Sequence, residues 1–290
     1  MKRRLSYVIS ADCDGLMIKA FLKRKGYSSS VLTMLKKEED GVVLNGERVF
    51  VTRMLSVGDR LDICMTDFDT SAEPEPIEVP ILFEDEDIVV YDKPADMAVH
   101  PTKKIQSGTL ANSFCHHIKE GAGVFRPVYR LDKGTSGIVV VAKNKLAAHL
   151  LGGNIEKEYL CICEGELAES GTFDGAIGLS DNSKLKRQVR ADGDSAVTHF
   201  ERLSSLGGFS LARVWLETGR THQIRVHFAD DGHALVGDFL YGREYDEMPR
   251  HALHCGLVRF RHPITEQKLA FSTDLPEDMK KFIEKIGLYL

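Results

Sequence analysis

From residue 81 onward the chain is a succession of short runs rich in β-branched and aromatic residues. ILFEDEDIVVYDKP, GIVVVAKN, EKEYLCICEGEL, AVTHFERL, FSLARVWLETG and LHCGLVRFRHP are each bounded by Gly, Pro or Asp. Helical patterns occur at TLANSFCHHIKE and around THQIRVHFADDG. Strand following strand, with few helices between, predicts an α+β fold with a largely antiparallel, mixed sheet. β-α-β alternation is missing, and so are G-x-x-x-x-G-K-[ST] and G-x-G-x-x-G. The pattern therefore argues against a nucleotide cofactor.

Upstream, TDFDTSAEPEPIEVP is acidic, carries three prolines, and holds too little apolar surface to fold alone. In a chain of 290 residues it marks a boundary near residue 70. The expected organisation is a small module over 1–66, a linker over 67–80 and a large domain over 81–290. Charge divides the same way. Residues 1–66 hold 12 Lys and Arg against 8 Asp and Glu, and residues 67–87 hold 9 acids and no base. The net charge of −5 is thus a property of the linker, and the first module is basic, as a phosphate-facing surface should be.

Within that module LMIKAFLKRKGYSS and SSSVLTMLKKEE read as two short helices, the second capped by one of Ser28 to Ser30. GVVLNGERVFVTRMLSVGDRLDI reads as short strands with Asn45-Gly46 as a hairpin turn. No window approaches the ~18 apolar residues of a membrane helix, and the basic start lacks the apolar core of a leader, so the chain reads as cytosolic. Its six cysteines include no C-x-x-C pair and are expected to be buried thiols. His251 and His254 form an H-x-x-H without further ligands at zinc spacing, and no metal site is expected.

Three stretches carry the chemistry: YRLDKGTSG, EKEYLCICEG and LETGRTHQIRVHFADDGHALVGDFLYG. The first sets Asp132 between Arg130 and Lys133 in a glycine-punctuated turn ahead of a valine-rich strand. Such a loop holds a carboxylate rigid yet exposed, with Thr135 and Ser136 free to bond its own amides. In the third, Thr221 is expected to cap a helix beginning near His222, and Arg225 follows about one turn later. An arginine facing Asp132 would keep it ionised and fix its direction. Tyr159 would add a flat amphipathic ring. Carboxylate, guanidinium and ring suit a planar substrate whose bond to a sugar is broken, and a nucleotide in folded RNA must first be extruded and stacked. Asp238 is expected to brace a turn, and the basic run KLKRQVR is either a solvated loop or an RNA contact.

YRLDKGTSGIVVVAKN, EKEYLCICEGEL, LETGRTHQIRVHFADDGHALVGDFLYG, LHCGLVRFRHP and VVYDKPADMAVHP together resemble RluA/RluD-type RNA pseudouridine synthases over about residues 81–275. The first module resembles the S-four-type RNA-binding module in its helix pair, in VVLNGERV and in VGDRLDI. The resemblance implies an isomerase that turns a uridine in RNA into pseudouridine, with large-subunit ribosomal RNA as the expected target. It implies that Asp132 acts at the anomeric carbon as nucleophile or as base of a glycal route, that Tyr159 stacks on the uracil, and that Arg225 partners Asp132. Arg130 would enter the RNA stack in place of the flipped nucleotide. Lys133, Thr135, Arg220 and His222 would meet substrate. Lys19, Lys23, Arg24, Lys25 and Lys36 would contact phosphates. Substrate and product are isomers, so no cofactor is implied, and a monomer is expected.

Three positions depart from the family pattern: Tyr129 where histidine is common, Gly134 where an acid is common, and Asp96 where glycine is usual. Alternatives left open are a transfer-RNA target, a non-catalytic RNA-binding or assembly factor, and an RNA N-glycosidase. The last lacks a second carboxylate in a general-base context.

Overall fold

A computed structural model describes residues 2–67, 72–118 and 123–288. Residues 2–66 carry a four-stranded sheet, β1 (Lys2–Val8), β2 (Val42–Leu44), β3 (Glu47–Arg48) and β4 (Arg60–Thr66), in the order β1-β4-β2-β3. Two helices, α1 (Ile18–Arg24) and α2 (Ser29–Leu35), pack on it. Ser28 accepts from the Val31 amide and caps α2. Asn45 and Gly46 both have positive φ, 53° and 88°, the geometry of a two-residue hairpin turn.

The remainder is built on β5 (Ile81–Glu84), β6 (Ile88–Lys93), β7 (Arg126–Pro127), β8 (Ser136–Ala142), β9 (Glu156–Glu164), β10 (Ser170–Asp174), β11 (Ile177–Leu179), β12 (Arg187–Val189), β13 (Val197–Leu206), β14 (Phe209–Leu216), β15 (Leu253–Arg261) and β16 (Lys268–Ser272). Its helices are α3 (Leu110–His117), α4 (Lys145–Leu151), α5 (Gln223–Asp230) and α6 (Glu277–Ile286). Ten of the strands make one sheet in the order β10-β13-β14-β9-β15-β8-β6-β5, with β16 on β15 and β7 on β8. The pairing is antiparallel except between β8 and β15, where His254 meets Ser136 and Cys255 meets Gly137. The fold is thus a mixed α+β architecture with a mostly antiparallel sheet.

Strand β8 is buried along its whole length, which explains its unbroken apolar run. In β9 the alternation of side chains serves two cores at once. Tyr159, Cys161 and Cys163 enter the main core, while Leu160 and Ile162 meet α6 through Met279, Phe282 and Ile283.

The acidic segment does not stand free. Its described part, 72–80, lies along α3: the Glu73 carbonyl accepts from Asn112 Nδ2 at 2.8 Å, and the Ile77 carbonyl from Ser113 Oγ at 2.7 Å. A strip that cannot fold alone takes its order from a helix. The expected boundary near residue 70 falls among residues outside the described ones. The first unit also touches the large sheet directly. Arg3 donates to both oxygens of Asp87, at 2.9 and 2.8 Å, and Leu146 of α4 is buried in the first unit's core.

Two further expectations need correction. KLKRQVR is not simply a loop, because Arg187–Val189 is β12, paired with β11. Nor does Thr221 cap α5: the cap position is His222, at φ 59°, with no side-chain cap bond. Gln223 instead ties down the chain that enters the helix. Its Oε1 accepts from the Arg220 amide and from Thr218 Oγ1, both at 2.9 Å.

Candidate active site

Asp132 sits in the turn that leads into β8, its carbonyl accepting from the Thr135 amide at 3.0 Å. Its side chain keeps 26% of its surface exposed, whereas the Arg225 side chain beside it keeps 5%. Arg225 Nη1 donates to Asp132 Oδ2 at 3.0 Å. The other edge of the guanidinium is occupied: Nε donates to Asp238 Oδ2 at 2.7 Å and Nη2 to Asp238 Oδ1 at 2.8 Å. Burial opposes charge on both Arg225 and Asp238, but their mutual hydrogen bonds and attraction outweigh it. The pair is held ionised, with the arginine pKa raised and the Asp238 pKa lowered. Asp238 also accepts from the amides of Leu240 and Tyr241, which braces the turn after it.

Tyr241 joins several parts of the site. The Arg187 amide donates to its Oη at 2.8 Å, and His222 Nδ1 lies 2.8 Å from the same oxygen. The guanidinium of Arg225 stands 5.1 Å from its ring centroid. On the other side of the imidazole ring, His222 Nε2 lies 3.9 Å from Asp132 Oδ2. Burial lowers the His222 pKa, against the pull of Asp132, and favours the neutral ring.

Tyr159 lies on β9 with 6% of its surface exposed. Burial first, then the neighbouring Cys255 and Asp132, push its phenol well above the ordinary value, so it stays protonated. Beside it Tyr129 donates its hydroxyl to the Ile138 carbonyl at 2.9 Å, and Lys157 Nζ stands 4.9 Å over the Tyr129 ring. Asp96 adopts φ 60°, a left-handed conformation that aspartate tolerates better than most residues.

Arg130 and Lys133 are exposed on either side of Asp132. Arg220 is exposed too, with Nε donating to the Ser195 carbonyl at 2.9 Å. Thr135 differs from expectation. It is 2% exposed, and its Oγ1 lies 2.8 Å from His251 Nε2, so it neither faces substrate nor bonds the loop's amides. Ser136 likewise turns to His254 Nδ1, at 3.0 Å. A packed core below the loop has claimed both hydroxyls. Lys19, Lys23, Arg24, Lys25 and Lys36 are all exposed on the first unit. Arg24 and Lys25 line a cleft of about 1310 Å³ between that unit and the ends of β9, β15 and β16.

Sequence reasoning passed over Lys93 and Arg250, which are 0% and 3% exposed beneath the Asp132 loop. Lys93 Nζ donates to the carbonyls of Pro94 and Met97, at 2.8 and 2.9 Å. Burial, with the nearby Arg250 charge, brings its pKa down to about 7. A lysine inside an otherwise strand-like run was the available signal. Among the described residues, Asp85, Asp87 and His262 also come together with metal-type donors, but Asp87 is taken up by Arg3 and His262 Nε2 lies 2.7 Å from Asp85. Among the same residues no helix is long and apolar enough to cross a membrane.

The fold and site can now be set beside known proteins. Residues 87–230 match the family described as RNA pseudouridylate synthase. The chain is 37% identical over 289 residues to the uncharacterized RNA pseudouridine synthase YhcT of Bacillus subtilis, covering 96% of each. It is 39% identical over 225 residues to the ribosomal large subunit pseudouridine synthase D of Pseudomonas aeruginosa, covering 70% of each. Among solved structures, human RNA Pseudouridylate Synthase Domain Containing 1 superposes with a TM-score of 0.57 at 22% identity, covering 77% of this chain and 98% of that one. This last likeness is one of fold. The chain belongs to the RNA pseudouridylate synthase family and is an RNA-modifying isomerase.

Proposed function

We propose that this enzyme isomerises uridine in large-subunit ribosomal RNA, with Asp132 as the group that acts at the anomeric carbon. The observation that carries the reading is the one-sided hold on Asp132. A single 3.0 Å bond from a buried arginine fixes Oδ2, while about a quarter of the side chain stays open to a substrate. Isomerisation breaks the bond from ribose C1′ to uracil N1 and makes one to C5; C5 loses a proton and N1 gains one. Asp132 serves either by attacking C1′ or by taking the proton that opens a glycal route. In both cases it must be correctly aimed, which an arginine clamped by a second carboxylate favours.

The other roles follow from position. Tyr159 offers the uracil a protonated aromatic surface beside Asp132. Arg130, exposed two residues before Asp132, is suited to fill the gap left by the flipped nucleotide, and Lys133 to meet phosphate. The first unit, an S-four-type module in this reading, brings its exposed cations to flanking RNA as one arm of a monomeric, cytoplasmic enzyme. The ribosomal target is supported by the similarity to the ribosomal large subunit pseudouridine synthase D of Pseudomonas aeruginosa.

The test is to map pseudouridine in ribosomal and transfer RNA from cells lacking the gene and from the same cells with it restored. The proposal expects at least one large-subunit site to vanish and return. Loss confined to transfer RNA would overturn the assigned target.

A further inference from the structure

The loop after Asp132 is held at four consecutive residues, two through backbone carbonyls and two through side-chain hydroxyls, by side chains from distant parts of the chain. Lys93 Nζ reaches the Lys133 carbonyl at 3.4 Å and Arg250 Nη1 the Gly134 carbonyl at 2.9 Å. Thr135 and Ser136 are held through their hydroxyls by His251 and His254, at 2.8 and 3.0 Å. Arg250 and His251 come from the segment leading into β15, and His254 from the start of that strand.

Arg250 links this loop to a distant element. Its Nη1 also donates to the carbonyls of His251 and Leu253, at 3.3 and 3.2 Å. Its Nε and Nη2 donate to Asp278 at 2.6 and 2.9 Å. Asp278 lies in the first turn of α6, where its Oδ1 accepts from the Met279 amide at 2.8 Å. The helix is in turn fixed to β9 and β14 through Met279, Phe282 and Ile283 packed with Ile162 and Leu211. A planar guanidinium gripped on two sides by a carboxylate cannot rotate without losing both bonds. The position of α6 therefore determines where the Gly134 carbonyl sits, two residues from Asp132.

We propose that Asp278, acting through Arg250, is a positioning residue of the isomerisation: the C-terminal helix sets the aim of the Asp132 loop. The inference rests on the reading of Asp132 as the reacting carboxylate. Neither Asp278 nor Arg250 touches substrate in this scheme. Their loss should lower the rate of the chemical step and leave RNA affinity alone, because misplacement of a reacting group by about 1 Å can cost on the order of 100-fold in rate.

The experiment compares full-length wild type with Asp278→Asn, Asp278→Glu and Asp132→Asn. Single-turnover rate, RNA dissociation constant and thermal midpoint are measured for each, with rates taken well below every midpoint. Asp278→Asn should lower the single-turnover rate about 10-fold or more, with affinity within about twofold, and Asp278→Glu should recover part of the loss. A folded Asp278→Asn with the wild-type rate overturns the proposal, whatever its midpoint, because a purely structural role would move the midpoint alone. If Asp278→Asn does not fold, Arg250→Lys, which keeps the charge and loses the fork, is measured and judged by the same criteria. An inactive Asp132→Asn beside a full-rate Asp278→Asn sinks only the positioning role, whereas an active Asp132→Asn sinks the reading beneath it.

Discussion

Arg225 gives two nitrogens to Asp238 and one to Asp132. The two carboxylates therefore play unequal parts. Asp238, fully buried, fixes the guanidinium, and the guanidinium then fixes the partly exposed Asp132. Asp238→Ala leaves a buried cation without its main partner, a change that typically costs about 3–5 kcal/mol. Asp132→Asn keeps Arg225 paired with Asp238 and should cost clearly less. Urea unfolding of the two variants checks the order, and equal midpoints would contradict it.

Gly137 makes the parallel contact of β8 with β15 possible. Its φ is 108°, and a methyl group there would lie 2.3 Å from the Cys255 carbonyl oxygen. Gly137→Ala must therefore adopt a conformation that costs about 1–3 kcal/mol in backbone strain and also part the two strands. The expected result is a large loss of stability, read as a fall in thermal midpoint, together with loss of activity. A variant that melts like wild type would show that the strands separate easily. At Gly134 the crowding is of another kind. A Cβ would come within 2.8 Å of His251, whose ring fills the space that an acidic residue would otherwise enter.

What the sequence made legible was mostly local. The Asn45-Gly46 turn and a serine cap within Ser28 to Ser30 declare themselves within four residues, and the structure selects Ser28. The strands around the site are visible because each is apolar on at least one face. Strand β1 went unseen because Leu5 is its only buried residue, Val8 is exposed, and the rest is charged or polar. Helix α6 carried a readable signal, Met279, Phe282 and Ile283 at helical spacing, that was not used. Asp132 and Arg225 were read as facing each other from family resemblance and helix spacing across 93 positions. Asp238 was read only as a turn brace, because its hold on Arg225 depends on how the turn after α5 folds back. Thr135 and Ser136 were misread for the same reason: His251 and His254 are more than a hundred residues away in the chain.

Those two histidines predict acid sensitivity. Burial, then the charge of Arg225, brings His251 down to about 3, and burial, then Arg250, brings His254 down to about 4. Their unfolded values are near 6.5, so between pH 6.5 and 4 the unfolded chain binds protons that the native state refuses. The contribution is fully present above pH 6.5 and is lost as pH falls through the folded values, with a slope of about 1.4 kcal/mol per pH unit for each ring. His100, His222 and His227 are also lowered by burial and add to the wild-type slope, so the difference between proteins is the quantity to read. His254→Asn should flatten the dependence of unfolding free energy on pH by about one proton. An unchanged slope would mean that His254 is already charged in the native state.

The central claim is that Asp132 performs the chemistry. The direct measurement is release of tritium from RNA labelled at uracil C5, comparing wild type with Asp132→Asn at equal RNA occupancy. The account predicts steady release by wild type and none above background by Asp132→Asn, with the variant folded and still binding RNA. Release by Asp132→Asn at a rate within about tenfold of wild type would contradict it, since loss of a reacting carboxylate costs far more than that.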